Sequence, residues 1–125
     1  MTSNLLLYVG SVIITLWGIA HIAPTGSIVK GFGEISIDNK RIITMEWVAE
    51  GLTLVFIGLL VLFLTLLGGA QNSASLIVHR VSAVMLLVMS GLSLLTGART
   101  SIVPMKICPL VKITVAILFL LGSVL

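Results

Sequence analysis

The sequence predicts an all-α integral membrane protein, a four-helix bundle with antiparallel neighbours and a long first loop at the membrane interface. Three observations lead there. Only 9% of the 125 residues are charged, against 58% hydrophobic, and mean hydropathy is +1.28. Soluble domains carry about a quarter charged residues, so a surface this poor in charge must face lipid. Four apolar runs each approach the roughly 20 residues that a helix needs to cross the hydrocarbon layer. The breaks between them hold glycine, proline and polar residues, and leave no room for a soluble domain.

The four runs form a single transmembrane domain over residues 1–125. Span one covers approximately 5–23 and is closed by Pro24. It lacks the basic flank of a secretory signal and exceeds a typical signal core, which predicts a retained first helix. Span two covers 43–67, span three 76–96 and span four 103–125. The connections "GGAQNSAS" and "GARTSI" are short, so the helices that they join should lie antiparallel. The first connection, 25–42, carries Lys30, Glu34, Asp38, Lys40 and Arg41. Within it "GFGEISIDNK" alternates apolar and polar residues and has Asp38-Asn39 as a turn signal, which is consistent with a small hairpin or flap at the interface, the plainer reading being an ordered interfacial loop.

Basic residues set orientation. Lys30, Lys40, Arg41, Arg99 and Lys106 flank the side where span one ends and span two begins, and only Arg80 flanks the other. The positive-inside rule then makes the long first loop cytoplasmic and places both termini outside. A net charge of +3 from seven basic residues, without aromatic-plus-basic clusters, gives no support for nucleic-acid binding. The lone Cys108 has no disulfide partner within the chain and reads as a small apolar helix residue.

The polar residues inside the spans carry the functional expectation. Glu46 and Glu50 lie about one and two turns into span two, and their spacing of four puts them on one face. His21 is about one turn from the end of span one, on the same side. Lys112 is about 12 Å into span four from that side, and Arg99 stands at the mouth of span four. Trp17 and Trp47 lie near the same layer. An ionised side chain at mid-membrane costs at least about 2.5–3.5 kcal/mol, and pairing Glu50 with Lys112 relieves both. The expected ligand-binding or proton-coupling residues are therefore Glu50, Lys112, His21, Glu46 and Arg99, with Lys112 as the partner of Glu50. The alternative is an ion pair that only fixes helix register.

No metal is expected. The Glu46/Glu50 pair with His21 resembles carboxylate-rich metal bundles, but the Glu-x-x-His pair that those bundles supply is absent. Also absent are CxxC, HExxH and two histidines placed for haem between facing helices. His79 and Arg80 open span three on the opposite side and read as an interfacial anchor, with Arg80 snorkelling. Gly10, Gly18, Gly51, Gly58, Ser90, Gly91 and Gly97 are expected at close helix contacts. Pro109 should kink or loosen the first turns of span four.

The segments "LWGIAHI", "MEWVAEGLTLVFIGLLV" and, more loosely, "HRVSAVMLLVMSG" resemble the DoxX-like four-helix membrane proteins. The match rests on Glu50-Gly51 followed by a bulky run and Gly58, and only Glu50 and Gly51 carry over. The long charged first loop and "PMKICPLVK" depart from that pattern. The resemblance implies a membrane bundle associated with oxidoreductase systems that handle quinones or thiols. Three functions follow as expectations. One is a protein whose buried polar layer binds a lipid-soluble or small polar ligand, as in a quinone-linked redox accessory. The second is a minimal proton-coupled transporter acting as a dimer. The third is a structural subunit of a larger membrane complex. The expected partners are the lipid bilayer and either further copies of the chain or another membrane subunit. The sequence names no cofactor and leaves open whether the protein is an enzyme.

Overall fold

A computed structural model describes all residues, 1–125. It is entirely helical: α1 (Thr2–Ile22), α2 (Thr25–Lys30), α3 (Ile37–Gly68), α4 (Ser73–Leu95), a 3-10 turn (Gly97–Arg99) and α5 (Val103–Val124). Helices α1, α3, α4 and α5 are each long and apolar enough to cross a membrane.

Helix α3 begins six residues before the expected start of span two, at Ile37 rather than residue 43. Local chemistry explains the shift. The Ser36 hydroxyl accepts a hydrogen bond from Asn39 N at 3.1 Å, and Asp38 sits in the first turn. A capping hydroxyl and an early carboxylate both favour a helix N-terminus. The expected hairpin in "GFGEISIDNK" is therefore not formed. Its apolar–polar alternation belongs to a turn, with Gly33 at φ 74°, that leads into a helix. At 32 residues α3 is about 48 Å long, well beyond the roughly 30 Å that a spanning helix must cover, and Asp38, Lys40 and Arg41 lie in its first two turns.

The other boundaries follow similar rules. The Asn72 side chain caps α4, accepting from Ala74 N at 3.0 Å. Asn4 Oδ1 accepts from Ala70 N at 2.9 Å and ties the α3–α4 connection to the start of α1. Helix α5 carries Pro104 in its first turn, where no N–H is needed, and continues unbroken through Pro109.

Helix α1 packs extensively on both α3 and α5, and α5 packs on α4, whereas α3 and α4 touch only sparingly. Along α1 and α3, Gly18 lies against Gly51 and Val55, Ser11 and Thr15 against Gly58, and Asn4 against Ala70. Along α1 and α5, Trp17 meets Cys108, Gly10 meets Phe119 and Leu7 meets Gly122. Leu7, Ile14, Leu54, Val61, Leu86, Val115 and Phe119 are fully enclosed at the centre. Phe56, Phe63, Val81, Val88 and Leu92 point outward and are exposed. An apolar exterior of this extent marks a surface made for lipid or for another protein.

Glycines at the α1–α3 seam explain how closely the two helices approach. A Cβ on Gly18 would fall 2.7 Å from Gly51 O and 2.9 Å from Val55 N. A Cβ on Gly51 would fall 3.0 Å from Gly18 O and collide with Ile22. Gly91 differs from the expectation: nothing lies within 4 Å of a Cβ built there, so it makes no close helix contact.

Candidate functional site

The close approach at Gly18 and Gly51 brings the end of α1 against the second and third turns of the apolar part of α3. There Trp47 and Glu50, three residues apart, share a face. The imidazole of His21 stacks on the Trp47 indole, with ring centroids 4.1 Å apart and planes inclined by 13°. Trp47 Nε1 donates to His21 O at 2.6 Å, which satisfies one of the carbonyls left free at the end of α1. The two aromatic rings are thereby fixed by both faces and edges.

From this platform the polar contacts run inward. His21 Nε2 stands 3.5 Å from Glu50 Oε2 and has no closer partner. Glu50 Oε1 accepts a hydrogen bond from Lys112 Nζ. Lys112 Nζ also donates to Ser93 Oγ at 2.8 Å, and that hydroxyl donates onward to Met89 O at 2.9 Å. Four helices thus contribute one side chain each: His21 from α1, Glu50 from α3, Ser93 from α4 and Lys112 from α5. Side-chain exposure is 5% for His21, 32% for Glu50 and 0% for Lys112. The ammonium is wholly enclosed, with the Glu50 carboxylate and the Ser93 hydroxyl as its partners.

Two cavities flank the cluster. An apolar one of about 410 Å³ is lined by Trp17, His21, Ile28, Trp47, Met105 and Cys108, among others. Trp17 Nε1 points to Cys108 Sγ across its wall at 3.4 Å. The second is a groove of about 550 Å³ where α3 and α4 diverge, lined by Glu46, Trp47, Glu50, Thr53, Met85 and Met89. Trp47 belongs to both walls, and the His21–Glu50 contact joins the two sides.

Of the five expected residues, three converge: His21, Glu50 and Lys112. Glu46 faces the groove but is exposed and forms no ion pair with the cluster. Arg99 does not join it either. It is exposed in the 3-10 turn, where "GARTS" folds outside the end of α4. Sequence reasoning missed Ser93, because a lone serine in an apolar helix carries no signal of depth or direction.

The opposite end also departs from expectation. His79 is fully buried rather than interfacial, with Nε2 3.4 Å from Thr65 Oγ1. Arg80 stays exposed, but its guanidinium donates to Ser123 Oγ at 3.3 Å and Ser123 O at 3.2 Å. A cation at the C-terminus of α5 is favoured by the helix dipole.

The Trp47 contact has a measurable consequence. Trp47→Phe keeps a ring beside His21 but leaves the His21 carbonyl without its donor. A destabilisation of about 1 kcal/mol is expected in detergent-titrated unfolding. Trp17→Phe, which loses only a weak N–H to sulfur contact, should cost less. Equal losses would show that the His21 carbonyl contact contributes nothing of its own.

Comparison of the chain with protein-family models, with curated proteins and with solved structures finds no match. Fold and site together define a class: a helical protein with four helices apolar enough for a multi-pass membrane protein, and a His–Glu–Lys cluster formed between three of them.

Proposed function

We propose that the chain is an antiparallel four-helix membrane bundle that binds a lipid-soluble small molecule in the apolar cavity, with His21 as the polar group of its wall and Glu50 and Lys112 behind it. One observation carries this: His21 lines the cavity while its buried Nε2 is held toward Glu50 with no closer partner. A cavity of about 410 Å³, mostly apolar with few polar groups, suits a small organic ligand. The two indoles favour a flat conjugated ring, and a carbonyl or hydroxyl on that ring would meet His21. The DoxX-like resemblance points the same way, toward a quinone-linked redox accessory protein. The opposed order of contacts along α1, α3 and α5 supports the antiparallel arrangement. The five basic residues at the cavity end support a cytoplasmic first loop.

A second reading, proton-coupled transport by a dimer, is favoured by the partial exposure of Glu50 into the α3–α4 groove beside Glu46. The two readings separate in one experiment. The protein is purified in native lipid, bound molecules are identified by mass spectrometry, and short-chain quinones are titrated against tryptophan fluorescence. Binding should quench Trp17 and Trp47, and Glu50→Gln should weaken it at least about tenfold, which is 1.4 kcal/mol. The same variant keeps an oxygen that accepts from Lys112, so it should cost less stability than Glu50→Leu, which leaves the enclosed ammonium without that acceptor. Wild-type protein that neither retains nor binds an apolar ring would refute the ligand reading. Loss of fold in parallel with loss of binding would reduce the cluster to a structural ion pair.

A further inference from the structure

A third cavity, of about 470 Å³, lies on the far side of α2 from the apolar one and is lined by Thr25, Val29, Lys30, Glu34, Lys40 and Thr44, with two glycines. Helix α2 separates the two, with Ile28 in the wall of the apolar cavity and Val29 and Lys30 in the wall of this polar cup. The cup sits beside the charged first turns of α3, a helix longer than the hydrocarbon layer is thick. With α3 spanning a bilayer as proposed, those turns would lie at the depth of lipid head groups.

Its hydrogen-bonding capacity is specific. The Thr25 hydroxyl donates to Ile22 O and the Thr44 hydroxyl to Lys40 O, so both are left with acceptor lone pairs only. The Glu34 carboxylate is likewise an acceptor. Side-chain donors in the cup are therefore the ammonium groups of Lys30 and Lys40. Such a cup matches an anionic oxygen cluster at two points and hydrogen-bond donors at the others. Ile37 and Met45 on the neighbouring surface of α3 are exposed and apolar, which suits acyl chains.

We infer that this cup seats a phospholipid head group, with the phosphodiester between Lys30 and Lys40 and a hydrogen-donating substituent, ethanolamine or glycerol, directed to Glu34 and the threonine oxygens. Choline carries no N–H or O–H and cannot satisfy those acceptors. Basic pockets at the cytoplasmic face of membrane helices hold phosphate head groups in this manner, at about 1 kcal/mol per lysine.

The test uses the full chain in nanodiscs of mixed phosphatidylglycerol, phosphatidylethanolamine and phosphatidylcholine, with retained lipids counted by native mass spectrometry. The wild type should retain the glycerol or ethanolamine lipid over the choline lipid. Lys30→Gln with Lys40→Gln should weaken retention roughly thirtyfold. Arg41→Gln with Lys106→Gln removes the same charge from the same end but from outside the cup, and should leave retention nearly unchanged. Equal loss in the two double variants would overturn the proposal, since it would show general attraction to an anionic surface. Equal retention of the choline lipid would overturn it as well. A final arm adds inorganic phosphate alone at millimolar concentration. Binding of that ion with the same lysine dependence, together with displacement of lipid, would make the cup a free-phosphate site and overturn the lipid assignment.

Discussion

Glu50→Leu is expected to destabilise the protein by about 3 kcal/mol or more, and Lys112→Met by distinctly less. The asymmetry follows from burial. The Lys112 side chain has no solvent exposure, so removing Glu50 strands an ammonium with only the Ser93 hydroxyl beside it. Glu50 is about a third exposed toward the α3–α4 groove, so after loss of Lys112 its carboxylate is not left enclosed. The double variant Glu50→Leu/Lys112→Met should return to within about 1 kcal/mol of wild type, because well-packed apolar residues replace a buried pair at little net cost. Unfolding titrations in mixed micelles give all three values. Equal costs for the single variants, or a double variant that shows their sum, would mean that the two groups do not depend on each other.

The second large effect is at the α1–α3 seam. Gly18→Val should cost about 2–3 kcal/mol, since its Cβ would strike Gly51 O at 2.7 Å and Val55 N at 2.9 Å. Both are backbone atoms of a continuous helix, so the helices must separate. The separation would carry the end of α1 outward and draw His21 from Glu50, so binding at the cavity should fall together with stability. Gly91→Ala is the matching control. It meets nothing within 4 Å in mid-helix, and replacing a helical glycine there should be neutral or stabilise by up to about 1 kcal/mol. A neutral Gly18→Val would show that the seam is looser than its geometry.

These two sites show how far the sequence could be read. Hydropathy locates a helix, and a fixed rise per residue locates depth, which is why Glu50 and Lys112 could be paired from spacing alone. Neither gives rotation about the helix axis with certainty. His79 and Arg80 are adjacent in the chain, yet one is enclosed against Thr65 and the other turned out to the end of α5. Gly91 and Gly51 are equally small, but only Gly51 faces a neighbour. Arg99 stands at the mouth of span four, and the 3-10 turn leaves it exposed there, short of the cluster. At the start of α3 a local cap outweighed a short alternating pattern, since one hydroxyl and one carboxylate settle a helix end where three scattered apolar residues cannot hold a strand. The divergence of α3 from α4 had no counterpart in the sequence at all, because short connections predict neighbours in contact.

That divergence changes what concentration means for this protein. With α3 and α4 spanning a bilayer as proposed, a molecule that reaches Glu50 through the gap would arrive from the plane of the bilayer. Its supply is then governed by how strongly it partitions into lipid, which can enrich an apolar compound by orders of magnitude over its level in water. Even a site of weak intrinsic affinity would stay filled under those conditions, and exchange would proceed by lateral diffusion with no hydration step at the entrance.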